Sequence, residues 1–201
     1  AQPAHTARYA GAIAGRAAVR YLESGDPAVF GTVREVPHAE RTLLPLPNCE
    51  CAPTETATLS LDTVERSLEE SLARAERGLD DRLGIVQEVG EAESVPAPYY
   101  LARVCDTSGF SDATAARDAA GVAAGWDAAF MKALGEGFER YAAGIYRERD
   151  FQEGPADAVA DAVRPESFVC RTDPTDEDSF GWVEGRDLQT DAPVRLPAEF
   201  V

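Results

Sequence analysis

Apolar positions recur at helical spacing in three stretches of the chain and cluster as short strands in several others. Residues 7–23 set Ile13, Val19, Tyr21 and Leu22 among small residues at Ala10, Gly11, Ala14, Gly15 and Ala18, which predicts a helix. Gly11 and Gly15 stand four apart and allow close approach of another element; this is a packing feature, not a membrane dimer motif. Residues 24–58 lose periodicity and carry Pro27, Pro37, Pro45, Pro47 and Pro53, the best domain boundary in the chain. A second helix is signalled by Asp62 as its cap, with Glu65 three residues on completing a capping box. Val64, Leu68, Leu72, Ala75 and Leu79 give it one apolar stripe. Glu70 and Arg74 are spaced to pair on its outer face, and residues 80–84 stop it.

Two strands are expected next, Gly84 to Val89 and Tyr99 to Cys105, joined by a hairpin loop containing Pro96. Residues 106–125, rich in Ala, Asp and Gly, read as a loop with one short helical turn. The strongest helix covers about 126–150, with Trp126, Phe130, Leu134, Phe138, Tyr141 and Ile145 on one face. Beyond Pro155, Ser167 to Cys170 reads as a strand, followed by an acidic loop and a hairpin with arms Phe180 to Val183 and Val194 to Leu196. There is no internal repeat. The order predicts an α+β fold: helix, hairpin, long helix and further strands, preceded by a short helical segment.

Composition adds one strong constraint. Among 201 residues, 36 acids face 19 bases, a net charge of -17, and Lys132 is the sole lysine. Acids spread along the chain keep a protein hydrated in strong salt, so a salt-adapted source is expected; the alternative is an acidic domain with a cationic partner. Nucleic-acid binding is disfavoured because no basic stripe exists. No apolar run approaches the roughly 18 residues of a membrane span, and there is no secretion signal. Cys105 and Cys170 lie in apolar contexts and Cys49 and Cys51 form a C-x-C pair, usage that suits a reducing cytoplasm. The chain begins at Ala1, and Leu196 to Val201 read as the start of a strand, so both ends are expected to be cuts within a longer protein.

The segment Lys132 to Tyr141 carries the candidate chemistry. Glu136 and Glu139, spaced i and i+3, project from one side of the helix, and paired carboxylates suit Mg²⁺, which takes oxygen ligands and nucleotide phosphates. Gly135 and Gly137 beside Glu136 each cost about 0.8–1 kcal/mol relative to Ala in a helix interior, which implies a close neighbour of the backbone. The plain alternative is that Lys132–Glu136 and Glu136–Arg140 are surface ion pairs of about 0.2–0.5 kcal/mol each.

Three motifs in order carry a resemblance. Ala128 to Tyr141 resembles the A-x-x-x-A-L-G-E-x-x-E-R-(Y/L) signature of the YcaO family. Asp80 to Val86 resembles the D-x-R-x-G-I-(I/V) motif of its azoline-forming members. Gly181 to Leu188, with Pro193 to Ala198, resembles the family's W-V-x-G-x-D-L hairpin and the strand that follows it. The resemblance runs from about residue 60 to the end. It implies ATP and Mg²⁺ as cofactors, bound without a glycine-rich loop; Glu136 and Glu139 as magnesium carboxylates; Arg140 on the same helix; and Ser71, with Ser67 as rival, as a nucleotide contact. The family's lysine near the start of that helix has no counterpart, since Val64 and Glu65 occupy the region.

The implied reaction is activation of a peptide backbone amide. A Cys, Ser or Thr side chain, or external sulfide, adds to the carbonyl, and the resulting oxygen takes a phosphoryl group from ATP and departs as phosphate. An azoline ring or a thioamide results, as in bacteriocin biosynthesis. Further nucleotide ligands in the family lie past the position of Val201, so this piece alone is expected to be inactive. The contrasting reading is a non-catalytic peptide- or partner-binding scaffold with a degenerate version of the fold.

Residues 8–22 and Pro45 to Ala52 resemble the tail of the ubiquitin-activating-enzyme-like region fused to YcaO in cyclodehydratases, where a C-x-x-C pair supplies half a zinc site. Here Cys49 and Cys51 stand as C-x-C with no second pair, and a closed site needs four ligands, so a proline-pinned turn is preferred to zinc. His5 and His38 read as surface residues, Trp126 and Trp182 as packing. The expected organisation is 1–55 as a partner- or leader-binding tail with its linker and 56–201 as the N-terminal part of a YcaO domain. Expected partners are a substrate peptide or protein and a leader-binding or thioamidation protein, with homodimerisation left open.

Overall fold

The computed structural model describes residues 3–25, 30–37, 39–45, 64–110, 115–145, 151–169 and 178–201. Cys49, Cys51, Cys170, His38 and Asp62 lie outside the described residues. Two compact units are present: Ala1–Asp106 with Ala115–Ala142, and Thr107–Thr114 with Ala143–Val201.

In the first unit, α1 (Ala4–Ser24) buries none of its residues and ends where Gly25, in the left-handed conformation, donates to the Tyr21 carbonyl at 2.8 Å. Then β1 (Thr32–Glu35) and β2 (Ala39–Thr42) form an antiparallel hairpin inside the stretch expected to be irregular. Its four-residue strands carry alternating charges rather than apolar bulk. They are fixed from outside, by Arg41 pairing with Asp80 at 2.7 Å and Asp81 at 2.5 Å and by Arg82 with Glu35.

Helix α2 spans only Leu68–Ala75. The capping box forms at Ser67 and Glu70, each accepting from the other's backbone N–H at 3.1 Å. Glu70 is thereby turned to the helix start, so the expected Glu70–Arg74 pair does not form, and Val64 stays exposed. The sheet runs β3-β4-β5, all antiparallel: Val86–Glu91, Tyr99–Val104 and Asp118–Val122. Strand β5 replaces the expected loop. Its inward positions, Ala119 and Gly121, are small because helix α3 (Trp126–Ala143) lies almost on its backbone. A Cβ on Gly121 would stand 2.0 Å from the Ala129 carbonyl oxygen and 2.4 Å from the Ala133 nitrogen. The buried line of α3 is therefore Ala129, Ala133 and Gly137 with Leu134 and Tyr141, while Phe130 and Phe138 flank it and Trp126 is half exposed. Ala75, Val86, Ala102 and Ala119 complete this core.

The second unit is a sheet in the order β6-β7-β8: Gln152–Gly154, Phe180–Arg186 and Pro193–Pro197. Trp182 is fully buried and donates its indole N–H to the Gly154 carbonyl at 2.8 Å. Asp187 shapes the β7–β8 turn by accepting from the N–H groups of Gln189 (2.8 Å) and Thr190 (2.9 Å). Gly185 packs under Leu196, leaving no room for a Cβ. The expected strand from Ser167 is instead a 3₁₀ turn at Pro165–Ser167, with Phe168 stacked on Phe200 at 4.5 Å. Ala198–Phe200 is likewise a 3₁₀ turn after β8 and not the start of a strand.

Candidate functional site

Helix α3 presents Glu136 and Glu139 in different environments. Glu136 is half-buried: Oε2 accepts from the Ala120 N–H of β5 at 2.9 Å, and Oε1 accepts from Arg140 Nε at 3.0 Å and from its Nη2. The Ala120 N–H, and after it the Arg140 guanidinium, hold the Glu136 carboxyl below its ordinary range, so it is an anion at neutral pH. Glu139 is exposed. Lys132 does not pair with Glu136; its ammonium caps the end of β5 by donating to the Val122 carbonyl at 3.0 Å. Of the two glycines beside Glu136, Gly137 meets Val86 Cγ2 at 2.9 Å from a would-be Cβ, whereas Gly135 has open space.

Two carboxylates on one helix suit magnesium, which commonly takes one or two protein carboxylates and completes its shell with phosphates and water. Glu139 is free to turn to a cation, and Glu136 keeps an unused lone pair on Oε2, its Oε1 being taken up twice by Arg140, so the residues fit half of such a site. Among the described residues there is no group of three His, Cys, Asp or Glu placed to hold a metal by themselves.

Ser71 lies elsewhere in the same unit, in an open cleft of about 470 Å³ whose lining includes Arg66, Arg74, Arg77, Met131 and Phe138 but not Glu136, Glu139 or Arg140. Its hydroxyl donates to the Ser67 carbonyl at 2.9 Å, leaving the oxygen as an acceptor only. Met131 and Phe138 share a face of α3 that is about 160° around the helix from Glu136. The structure thus does not bring Ser71 and the Glu136 carboxylate into one described cavity. Ser67 is the cap of α2, a structural duty. The arginine cluster around Ser71 escaped sequence reasoning, because its members come from before, within and after a helix; the only signal was that three of the chain's few bases fall within twelve residues.

The sheet-and-helix arrangement is of a known class. One solved structure similar to the chain is described as a heterocyclase in complex with substrate and cofactor; it is 16% identical with a TM-score of 0.53, and the match covers 66% of this chain and 22% of that one. A YcaO from Methanopyrus kandleri, bound with AMPPCP and Mg²⁺, is 28% identical with a TM-score of 0.47, covering 66% of this chain and 32% of that one. No curated protein matches. The chain therefore spans a third or less of these two solved structures, and its α+β fold is like that of the heterocyclase. The family model for YcaO cyclodehydratases, described as ATP- and Mg²⁺-binding, matches residues 120–201. That match contains Glu136, Glu139, Arg140 and the Trp182 hairpin. No helix among the described residues is long and apolar enough to cross a membrane.

Proposed function

We propose that the protein is part of an ATP-dependent enzyme that activates backbone amides of a ribosomal peptide or protein, forming azolines (the precursors of thiazole and oxazole rings) or thioamides. The observation that carries this is the placement of Glu136 within the family segment: an anion at neutral pH, oriented by β5 and Arg140, one helical turn from an exposed second carboxylate. Magnesium, when bound, would neutralise the phosphate charge that develops during transfer. Glu136 and Glu139 would hold it, and Arg140 would orient Glu136. In this reading residues 1–55 belong to a partner- or leader-binding region, the substrate is a peptide or protein, and the acid-rich surface suits a salt-rich cytoplasm. Calorimetric titration of the whole protein with ATP and Mg²⁺ tests it. Binding that is lost in Glu136→Ala/Glu139→Ala supports the proposal; no heat with the unaltered protein, or undiminished heat in the variant, refutes it.

A non-catalytic scaffold is the second reading. It is favoured by the engagement of both Glu136 oxygens within the fold and by the missing counterpart of the family's lysine, Val64 and Glu65 occupying that region. Peptide capture independent of ATP would support it.

A further inference from the structure

Strand β5 pairs with β4 along one edge only. The bonds from the Val104 N–H to the Arg117 carbonyl at 2.7 Å and from the Ala123 N–H to the Pro98 carbonyl at 3.4 Å set its phase: odd-numbered residues face β4, and Asp118, Ala120 and Val122 turn their backbone groups to the other edge. No described strand pairs there. The two bonds described at that edge both come from side chains of α3. Glu136 Oε2 accepts from the Ala120 N–H at 2.9 Å, and Lys132 Nζ donates to the Val122 carbonyl at 3.0 Å. The spacings match. Lys132 and Glu136 are four residues apart, a rise of about 6.0 Å along a helix, and Ala120 and Val122 are two apart, about 6.8 Å along a strand. The order is reversed, the earlier helix residue meeting the later strand residue, as an antiparallel course requires. The inward residues of β5, Ala119 and Gly121, carry no branched side chain to key the strand along the helix axis. One bond would let β5 pivot about it; two of opposite polarity at matched spacing do not.

We propose that Lys132 is a positioning residue for Glu136, acting through the strand: by holding the Val122 carbonyl it fixes β5 in the register that sets the Ala120 N–H beneath Oε2, and so fixes the direction of the carboxylate. The proposal rests on the magnesium reading of Glu136 and deepens it. Arg140 orients Oε1 from within the helix, and Lys132 orients Oε2 from outside it, by way of Ala120. A direct Lys132–Glu136 pair, which the spacing alone suggested, would place a second cation on a carboxylate already shared with Arg140. In the structure the ammonium is engaged by the strand instead. Lysine suits this task, because an ammonium is a point donor that one carbonyl satisfies, whereas a guanidinium fork favours paired oxygens.

The test is hydrogen exchange of the Ala119, Ala120 and Gly121 amides, read by NMR on the whole protein without nucleotide, in Lys132→Met and Lys132→Arg. The first keeps the apolar stem and removes the donor; the second keeps a donor. Circular dichroism confirms the fold of each. Ala120 should exchange about fivefold faster in Lys132→Met, the effect of about one hydrogen bond, while Ala119 and Gly121, which face β4, change by less than about twofold. Lys132→Arg should return Ala120 to within about twofold of the unaltered chain. Calorimetry with ATP and Mg²⁺ should show Kd weakened about three- to tenfold in Lys132→Met and recovered in Lys132→Arg. The proposal is overturned if Ala120 exchange is unchanged in Lys132→Met, or if all three amides speed together, the mark of a merely structural role. It is overturned equally if Ala120 alone speeds and ATP–Mg²⁺ binds undiminished. Absence of ATP–Mg²⁺ binding by the unaltered protein refutes the magnesium reading instead, and the exchange rates still decide whether Lys132 holds the Ala120 N–H beneath the carboxylate.

Discussion

The approach of α3 to β5 leaves no room for a side chain at Gly121, and its replacement by alanine gives a large, signed expectation. The new methyl would lie 2.0 Å from the Ala129 oxygen and 2.4 Å from the Ala133 nitrogen, where ordinary contact begins at 3.4 Å. The shortfall is about 1.4 Å against backbone atoms, which cannot rotate aside as a side chain does. Overpacking costs about 1–3 kcal/mol in general, and a clash with helix backbone belongs at the upper end, so Gly121→Ala should destabilise by about 3 kcal/mol. Lifting α3 also stretches the 2.9 Å bond from Ala120 to Glu136. The matched control is Gly135→Ala: open space surrounds that Cβ, and removing a helix glycine should stabilise by somewhat under 1 kcal/mol. The two variants should therefore differ by about 4 kcal/mol in opposite directions. Urea unfolding followed by far-UV circular dichroism at fixed salt reads both midpoints. A Gly121→Ala variant within about 0.5 kcal/mol of the unaltered chain would refute the backbone-on-backbone packing.

Glu136→Gln keeps the shape but loses two charge-assisted contacts; a half-exposed group of this kind should cost about 1 kcal/mol at neutral pH. Because the folded carboxyl titrates below its ordinary 4.5, its contribution is present above that value and is lost as pH falls through the folded pKa. Unfolding midpoints measured from about pH 6 to 3 should decline less steeply in the glutamine variant. Ser67→Ala removes the cap of α2 and should cost about 1 kcal/mol by the same unfolding measurement. Trp182→Ala empties the core of the second unit and should cost about 3–5 kcal/mol; Trp182→Phe, which removes chiefly the bond to Gly154, should cost distinctly less in thermal unfolding.

What the sequence revealed depended on bulk. The hairpin at Phe180–Arg186 and Pro193–Pro197 was legible because Trp182, Gly185 and Asp187 each leave a mark: a buried ring, a close contact and a turn cap. Helix α3 was legible, but the small residues that bring it closest to the sheet were not. Phe130 and Trp126 of the expected face do pack on Tyr100 of β4, and Leu134 and Tyr141 are buried, but the closest approach to the sheet is made by Ala129, Ala133 and Gly137, whose smallness permits it. The same cause hid β5: Asp-Ala-Ala-Gly-Val lacks the branched and aromatic residues of a strand because a helix backbone occupies their room. Helix α2 is capped at Ser67 with Glu70, a signature that the expectation at Asp62 and Glu65 passed over. The link from Arg41 to Asp80 joins residues 39 apart, beyond any local pattern.

At the candidate site, the i and i+3 spacing of Glu136 and Glu139 suggested two equivalent ligands, and the fold makes them unequal. A carboxylate engaged by a strand N–H and an arginine is oriented in advance, which favours precise placement of a cation, but any cation must share it with Arg140. An exposed carboxylate carries the opposite balance: it is available, and it must surrender side-chain freedom on binding. On the proposed reading, a pair built this way would hold a metal weakly by itself and more tightly once phosphate oxygens complete the shell. On that reading, this is the behaviour required of a site whose metal arrives with the nucleotide and leaves with it, and it would follow from the position of Ala120 beneath Glu136 rather than from the spacing of the two glutamates.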